Sequence, residues 1–304
     1  MRCIGRVTRV VAVMLTIAVS GCATESRNTP ASKPDGPPSV LGVTASEFQF
    51  QLSSSVVRGG PVRIDFANKG QLEHMMITDR LKTGRTRADV TAPLLRDGGA
   101  DIDAVLDQFV GESDIGYPHV VSPGMKTSVT LPLLTSGTYV MVCYFRSPGS
   151  DATPHFAKGM VASFEVAVAR PPSPPPFATS RISMSESGIR GVESLSSGRG
   201  TVRVANDGSF AHSLQIVRLY RTATLDEAMQ YFRRSLTAGP EKDPPAAIAG
   251  GVSELGYGQH AFFNAQLPPG RYVALDLAPS GDGESAPPFY ALKPTLFQIP
   301  FTVT

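Results

Sequence analysis

Apolar and polar residues alternate with a period of two along several short stretches of the chain. Over residues 48–52, apolar side chains alternate with glutamines, and over residues 62–66 they alternate with charged side chains. This is the pattern of a strand with one face buried. The other stretches with strand character are Met75–Ile77, Thr127–Leu131, Thr138–Phe145, Val161–Val168, Val202–Val204, Leu214–Val217, Ala261–Phe263, Tyr272–Leu275 and Phe297–Val303. Short strands between Gly and Pro turns predict an all-β fold made of β-sandwiches.

Two stretches follow the helical period instead. Thr224 and Glu227 have the spacing of a capping box at the start of one of them. The apolar stripe there is Leu225, Ala228, Met229, Phe232 and Leu236, and the other stripe is Ile102, Val105, Leu106, Phe109 and Val110. We therefore expect one short helical insertion in each half of the chain, with its apolar face on the sandwich.

The two halves of the chain repeat the same motifs in the same order. Asn68–His74 and Asn206–His212 share the spacing Asn-x-Gly-x-x-x-His, and Gly137–Val140 recurs as Gly270–Val273. Such self-similarity indicates two copies of one fold.

A Pro-rich segment, 170–176, separates the copies and has the composition of a stiff, extended spacer. The chain of 304 residues is about twice the usual length of a domain. We expect two tandem domains, 41–169 and 177–304.

The chain begins with the features of an export signal. Arginines precede an apolar run, 10–19, and small residues follow it. The run is shorter than the ~20 apolar residues that span a bilayer. We predict a signal peptide over 1–21.

Val19–Cys22 resembles the lipobox of bacterial lipoproteins, which implies that Cys22 is lipidated and becomes the mature N-terminus. Residues 22–40 are rich in Pro, Ser and Thr, as a flexible tether would be. The alternative is an ordinary secretory signal with a cysteine at the cut. The resemblance places the protein in the cell envelope, anchored by lipid to the outer face of a bacterial membrane.

Composition and charge narrow the classes of function. The chain is 41% hydrophobic and 18% charged, with 29 Gly and 26 Pro, which disfavours both disorder and a helical bundle. The chain has 28 Lys and Arg residues and 26 Asp and Glu residues. Loss of Arg2, Arg6 and Arg9 with the signal peptide leaves 25 basic and 26 acidic residues. Because no basic excess remains, we expect no nucleic-acid partner.

Cysteine usage singles out one thiol. Cys3 leaves with the signal and Cys22 carries lipid, so Cys143 remains without a disulfide partner in an exported chain. It is a buried inert side chain, an intermolecular bridge or a metal ligand.

The third option fits the residues around it. His74, Cys143, His155 and Met160 supply two imidazoles, a thiolate and a thioether, the donor set of a blue-copper centre. The half 41–169 resembles the cupredoxins, the superfamily of plastocyanin, azurin and pseudoazurin. The matching motifs are Asn-x-Gly-x-x-x-His, Gly-Thr-Tyr-x-x-x-Cys and Pro-His-x-x-x-Gly-Met.

This resemblance implies two Greek-key sandwiches and one copper ion in the first. His74, Cys143 and His155 would be its equatorial ligands and Met160 its axial ligand, with His155 nearest to solvent. The chain departs from the family in two ways. Eleven residues separate Cys143 from His155, where small electron carriers have only a few, and Met75 follows His74 where azurin-like members often have Asn.

The second half lacks this set. Alignment of the repeats places Asp276 at the position of Cys143 and Pro288 at that of His155. Without a thiolate we expect this half to bind no metal, and we interpret His212 as structural.

The sequence lacks several known catalytic and cofactor-binding motifs. No two of the five His are spaced as His-x-His, as a trinuclear copper cluster needs, and there is no C-x-x-C, G-x-S-x-G or Walker motif. We therefore expect the protein not to be an enzyme. The leading hypothesis is outer-sphere electron transfer with an unknown redox or envelope protein as partner. The alternatives are copper storage or delivery, and a metal-free module that binds a partner.

Overall fold

The computed structural model describes residues 38–96, 102–112, 116–148, 153–168, 176–239, 241–276 and 298–304. The predicted signal peptide, Cys22 and nearly all of the tether and the Pro-rich linker lie outside the described residues.

The first repeat folds into two sheets. Its strands are β1 (Ser39–Ser46), β2 (Gln49–Leu52), β3 (Val56–Arg58), β4 (Gly60–Asn68), β5 (Ile77–Leu81), β6 (Val110–Glu112), β7 (Lys126–Leu134), β8 (Gly137–Val142) and β9 (Val161–Ala167), and its helices are α1 (Arg87–Arg96), α2 (Ile102–Phe109) and a 3-10 helix, His155–Lys158. One sheet has the order β2-β1-β4-β7, and the other has the order β3-β9-β8-β5-β6. β1 is parallel to β4, whereas β4 and β7 are antiparallel.

The core of the first repeat lies between these two sheets. Val62, Ile64 and Phe66 of β4 are fully buried and the residues between them are more exposed, which confirms the period of two. Tyr139 and Met141 of β8 belong to the same apolar cluster. Burial of these large side chains is the main term that stabilises the sandwich.

The second repeat has the same plan. Its strands are β10 (Ser180–Ser185), β11 (Gly188–Arg190), β12 (Arg199–Asn206), β13 (His212–Leu219), β14 (Ala246–Leu255), β15 (His260–Gln266), β16 (Gly270–Asp276) and β17 (Gln298–Val303), with α3 (Leu225–Ala238) and a 3-10 helix, Val192–Leu195. One sheet has the order β11-β10-β12-β15, and the other has the order β14-β13-β16-β17. β10 is parallel to β12, just as β1 is parallel to β4.

The repeats are joined edge to edge. β7 pairs with β15 through Thr130 opposite Phe262 and Val129 opposite Phe263, which makes one eight-stranded sheet. Asn264 Nδ2 also donates to Thr130 Oγ1 across this seam, at 2.9 Å. Apolar residues of both repeats form one continuous cluster. The exact domain boundaries stay a prediction.

Two helices cover the outer face of the second sheet in the first repeat. Val90 and Leu94 of α1 pack with Leu106 and Phe109 of α2 and with Val142 of β8. Both helices lie between β5 and β6, so the helical insertion expected in this half is present, and it contains two helices rather than one. The stripe in 102–110 predicted α2, but α1 was missed.

The second repeat has the helix that was expected. Thr224 Oγ1 accepts from Glu227 N at 3.2 Å and Glu227 Oε2 accepts from Thr224 N at 2.7 Å, so the capping box is confirmed. Ala228, Met229 and Phe232 are buried on one face, while the side chain of Leu236 lies outside the described residues. Among the described helices, none combines the length and the apolar character that a bilayer crossing requires.

Candidate metal centre

His74 is placed by the turn that precedes it. Asn68 ends β4 with a fully buried side chain that donates from Nδ2 to Leu72 O at 2.7 Å and to Val121 O at 3.0 Å. Its Oδ1 accepts from Gly70 N at 2.8 Å. These three bonds fix the Asn-x-Gly-x-x-x-His turn and aim the imidazole of His74 into the interior, where it is fully buried.

Cys143 directly follows β8 and is also fully buried. Its Sγ lies 3.8 Å from His74 Nδ1 and 3.6 Å from His155 Nδ1. The three donor atoms all lie within 4.8 Å of one another. The structure thus brings together the three residues that the sequence placed in one centre.

His155 opens the 3-10 helix after the long loop. His155 N donates to Phe145 O at 2.7 Å, Arg146 and Pro154 form a β-bridge, and Ser147 N donates to Thr153 O at 3.1 Å. The described residues on the two sides of this loop, 145–147 and 153–155, are therefore paired with each other. Because these bonds pair the two sides of the loop close to Cys143, the unusual length of the loop does not displace His155.

Met160 is tied by its backbone to two of these residues. Met160 N donates to His155 O at 3.0 Å, and Cys143 N donates to Met160 O at 3.3 Å. The Met160 side chain is fully buried in the same apolar cluster as Cys143. Its role as the axial ligand stays a prediction.

Burial sets the protonation of the centre. It lowers the pKa of His74 to about 4, although Glu47 opposes the shift, and it lowers the pKa of His155 to about 3 with help from the neighbouring His74 and Lys158. Burial also raises the pKa of the Cys143 thiol to about 12, against backbone N–H groups that favour the thiolate. At neutral pH the imidazoles are therefore neutral with a free lone pair each, and a metal ion has only to displace the thiol proton.

The two sulfur–nitrogen distances fit a single ion. A trigonal centre about 2.0 to 2.3 Å from two imidazole nitrogens and a thiolate separates nitrogen from sulfur by about 3.7 Å. The observed separations of 3.8 and 3.6 Å match this arrangement. Because thiolate and imidazole suit copper in both oxidation states, the three residues can hold one copper ion.

The second repeat builds a different pair at the same place. Asp276 ends β16 and its Oδ2 lies 2.6 Å from His212 Nδ1. Ser213 N donates to the other carboxylate oxygen at 3.2 Å. The alignment of Asp276 with Cys143 is thus reproduced in space. Pro288 lies outside the described residues, and the absence of metal from this repeat stays a prediction.

Sequence reasoning missed the two residues that cover the centre. Glu47 and Phe48 form the turn between β1 and β2. Glu47 Oε1 lies 3.4 Å from His74 Nε2, and the Phe48 ring lies 4.8 Å from that of His155, centroid to centroid. A signal for Glu47 was present, because a Ser-Glu pair ends the first strand of each repeat, with Glu186 in the second.

His155 itself does not reach the surface. Its exposed fraction is 0%, as is that of His74, so its place as the ligand nearest to solvent stays a prediction. Phe48 lies against one side of its ring, and Phe48 itself is only half-buried.

Comparison with known proteins gives similarity in structure only. No family model and no curated protein matches the chain. Reduced auracyanin from Roseiflexus castenholzii is 18% identical, with 43% of this chain and 99% of that chain covered and a TM-score of 0.28. Auracyanin A from Chloroflexus aurantiacus, described as a "blue" copper protein, is 18% identical over 43% of this chain and 100% of its own, with a TM-score of 0.26. A multicopper oxidase is 15% identical over 87% of this chain and 88% of its own, with a TM-score of 0.22.

The strand layout of the described residues confirms the predicted all-β architecture of packed sheets. The expectation that the protein is not an enzyme is contradicted, since an oxidase is among the similar structures. We withdraw that expectation.

Proposed function

We propose that this protein binds one copper ion through His74, Cys143 and His155, with Met160 as axial ligand, and carries electrons. The observation that supports this most strongly is one buried thiol with two imidazole nitrogens close to it, His74 Nδ1 at 3.8 Å and His155 Nδ1 at 3.6 Å. The bound ion would supply a one-electron couple between Cu(I) and Cu(II).

The chain's own residues suit such a couple because each ligand is held before the ion arrives. His74 is fixed by the Asn68 turn, Cys143 by the end of β8, and His155 by the bridged loop base. All three are fully buried, which excludes water from the centre. Ligands that cannot rearrange and a site without water favour the same geometry in both oxidation states.

The covered position of His155 suggests a route for the electron. The half-buried Phe48 ring lies 4.8 Å from the His155 ring, and Lys158 Nζ lies 4.6 Å from the centroid of the Phe48 ring. We place the exit at this half-buried aromatic ring rather than at the imidazole. A redox protein of the cell envelope would dock there.

The membrane attachment belongs to the same proposal. The lipobox-like sequence around Cys22 supports a lipid anchor, and the Pro-rich tether of 22–40 would give the copper domain reach from the membrane surface. Labelling of Cys22 by a fatty acid in a bacterial host, and its loss in Cys22→Ser, tests this part.

The copper claim is tested with the chain from residue 22 onward carrying Cys22→Ser. After loading with Cu(II) we expect one copper per chain, intense visible thiolate-to-copper absorption and a small hyperfine splitting. Cys143→Ser should lose this absorption while its far-ultraviolet circular dichroism stays unchanged. A colourless protein with a fully titratable thiol contradicts the proposal.

Electrochemistry then separates the remaining functions. A reversible one-electron couple supports electron transfer. Copper binding without such a couple indicates storage or delivery, and no copper binding indicates a metal-free module.

A further inference from the structure

His74 has two ring nitrogens in different surroundings. Nδ1 lies 3.8 Å from Cys143 Sγ, whereas Nε2 lies 3.4 Å from Glu47 Oε1 and makes no hydrogen bond of standard geometry to the described residues. The imidazole is fully buried, and the side chain of Glu47 is 29% exposed. A neutral imidazole carries one proton, and the nitrogen that lacks it is the one that can bind a metal.

The carboxylate of Glu47 is itself held in place. Its Oε1 accepts from Gln71 N and, at 2.9 Å, from Leu72 N in the turn that leads to His74. A side chain at Gly70 would occupy the space that this carboxylate fills. The position of Glu47 is therefore set by the same turn that sets the imidazole.

The second repeat provides an independent copy of this arrangement. Glu186 Oε1 accepts from Ser209 N and Phe210 N and lies 3.6 Å from His212 Nε2. A side chain at Gly208 would meet this carboxylate too. What differs between the repeats is the residue that faces Nδ1, a thiol in the first and Asp276 in the second.

We propose that Glu47 is a positioning residue that accepts the Nε2 proton of His74 and so turns the lone pair of Nδ1 towards Cys143. A carboxylate is one of the usual partners for the second nitrogen of a metal-binding histidine, and it raises the basicity of the first. This inference rests on the proposed function and adds a second effect. The negative charge beside the ion stabilises Cu(II) relative to Cu(I) and lowers the reduction potential.

The tautomer is tested first, in the metal-free protein. Long-range ¹H–¹⁵N correlation spectra of the imidazoles should show His74 with its proton on Nε2. Glu47→Ala should shift the equilibrium towards Nδ1–H, whereas Glu47→Gln should keep the Nε2–H form because the amide oxygen still accepts. An unchanged tautomer in Glu47→Ala overturns the proposal.

Copper binding is tested next, with Glu186→Ala as the matched control. Both alanine variants lose the same bonds to their turns, so both should lose a similar amount of stability. Only Glu47→Ala should weaken Cu(II) binding, by about 10- to 100-fold. Equal weakening in both variants shows a merely structural role and overturns the proposal.

Glu47→Gln separates charge from hydrogen bonding. It should retain most of the affinity but have a higher reduction potential than the wild type, and an unchanged potential overturns the charge effect. A wild-type chain that binds no copper, but whose His74 tautomer responds to Glu47→Ala, overturns the proposed function while supporting the positioning role.

Discussion

His212 Nδ1 lies 2.6 Å from Asp276 Oδ2, at the place in the second repeat where His74 Nδ1 faces Cys143 Sγ in the first. Both members of this ion pair are nearly fully buried, with exposed side-chain fractions of 3% and 1%. In the second repeat a buried ion pair therefore occupies the position that the candidate metal centre has in the first. An acid in place of the thiol gives the buried imidazole a partner that needs no ion.

The first prediction concerns this pair. Asp276→Asn keeps the shape of the side chain but leaves a buried imidazolium without its counter-charge. At about pH 5, where the imidazole is charged, we expect the free energy of unfolding to fall by about 3 to 5 kcal/mol, measured by urea denaturation. Cys143→Ala in the metal-free protein removes the equivalent side chain without exposing a charge, and it should cost clearly less. Equal losses of unfolding free energy in the two variants would show that the ion pair contributes no more to stability than the buried thiol does.

The second prediction is the pH dependence of that stability. Burial would lower the pKa of His212, but the hydrogen bond and charge of Asp276, aided by Glu186, outweigh it and raise the pKa above its ordinary value. A histidine whose pKa is higher in the folded than in the unfolded state stabilises the fold fully below about pH 6.5. This contribution is lost as the pH rises through the pKa of the folded state.

The wild type should accordingly lose its stability advantage over Asp276→Asn as the pH is raised above about 6.5. Urea denaturation of both proteins between pH 5 and pH 9 measures the difference, and the comparison cancels the contributions of the other histidines. A difference that grows with rising pH would contradict the sign of the shift.

Local signals in the sequence predicted much of the fold and the centre. The turn that places His74 depends on bonds of Asn68 within a few residues, so its spacing is readable in both repeats. The start of α3 depends on Thr224 and Glu227, which are three residues apart. Cys143 could be singled out because no other cysteine in the predicted mature domains can pair with it.

Features that depend on distant contacts were not predictable in this way. β14, Ala246–Leu255, is a run of small apolar residues buried on both faces, so it shows no period of two. α1 contains Pro93 and few apolar residues, and its stability comes from packing on the outer sheet. The cover over His155 depends on Phe48, more than one hundred residues earlier in the chain.

The third prediction compares the two turns that carry the histidines. Asn68 and Asn206 make matching bonds, each with two donated by Nδ2 and one accepted by Oδ1. Asn68→Ala and Asn206→Ala should each lower the free energy of unfolding by about 1 to 3 kcal/mol, because buried backbone groups lose their partners.

The two variants should differ only in metal binding. Isothermal titration with Cu(II) should show weaker binding in Asn68→Ala and unchanged binding in Asn206→Ala. Weaker binding in both would mean that the second repeat takes part in the centre.

The fourth prediction concerns access to the ion through the turn between β1 and β2. The Phe48 ring lies 4.8 Å from His155, while Phe50 on the same hairpin lies 6.4 Å from Phe66 instead. Removal of the ring that covers the ligand should ease local opening, so Phe48→Ala should release copper to a chelator about tenfold faster, which corresponds to about 1.4 kcal/mol.

Phe50→Ala loses a similar apolar area but uncovers no ligand, and its release rate should equal that of the wild type. Stopped-flow absorbance at a saturating chelator concentration measures both rates, and acceleration by Phe50→Ala to the same extent would show that the hairpin as a whole, rather than Phe48, controls access.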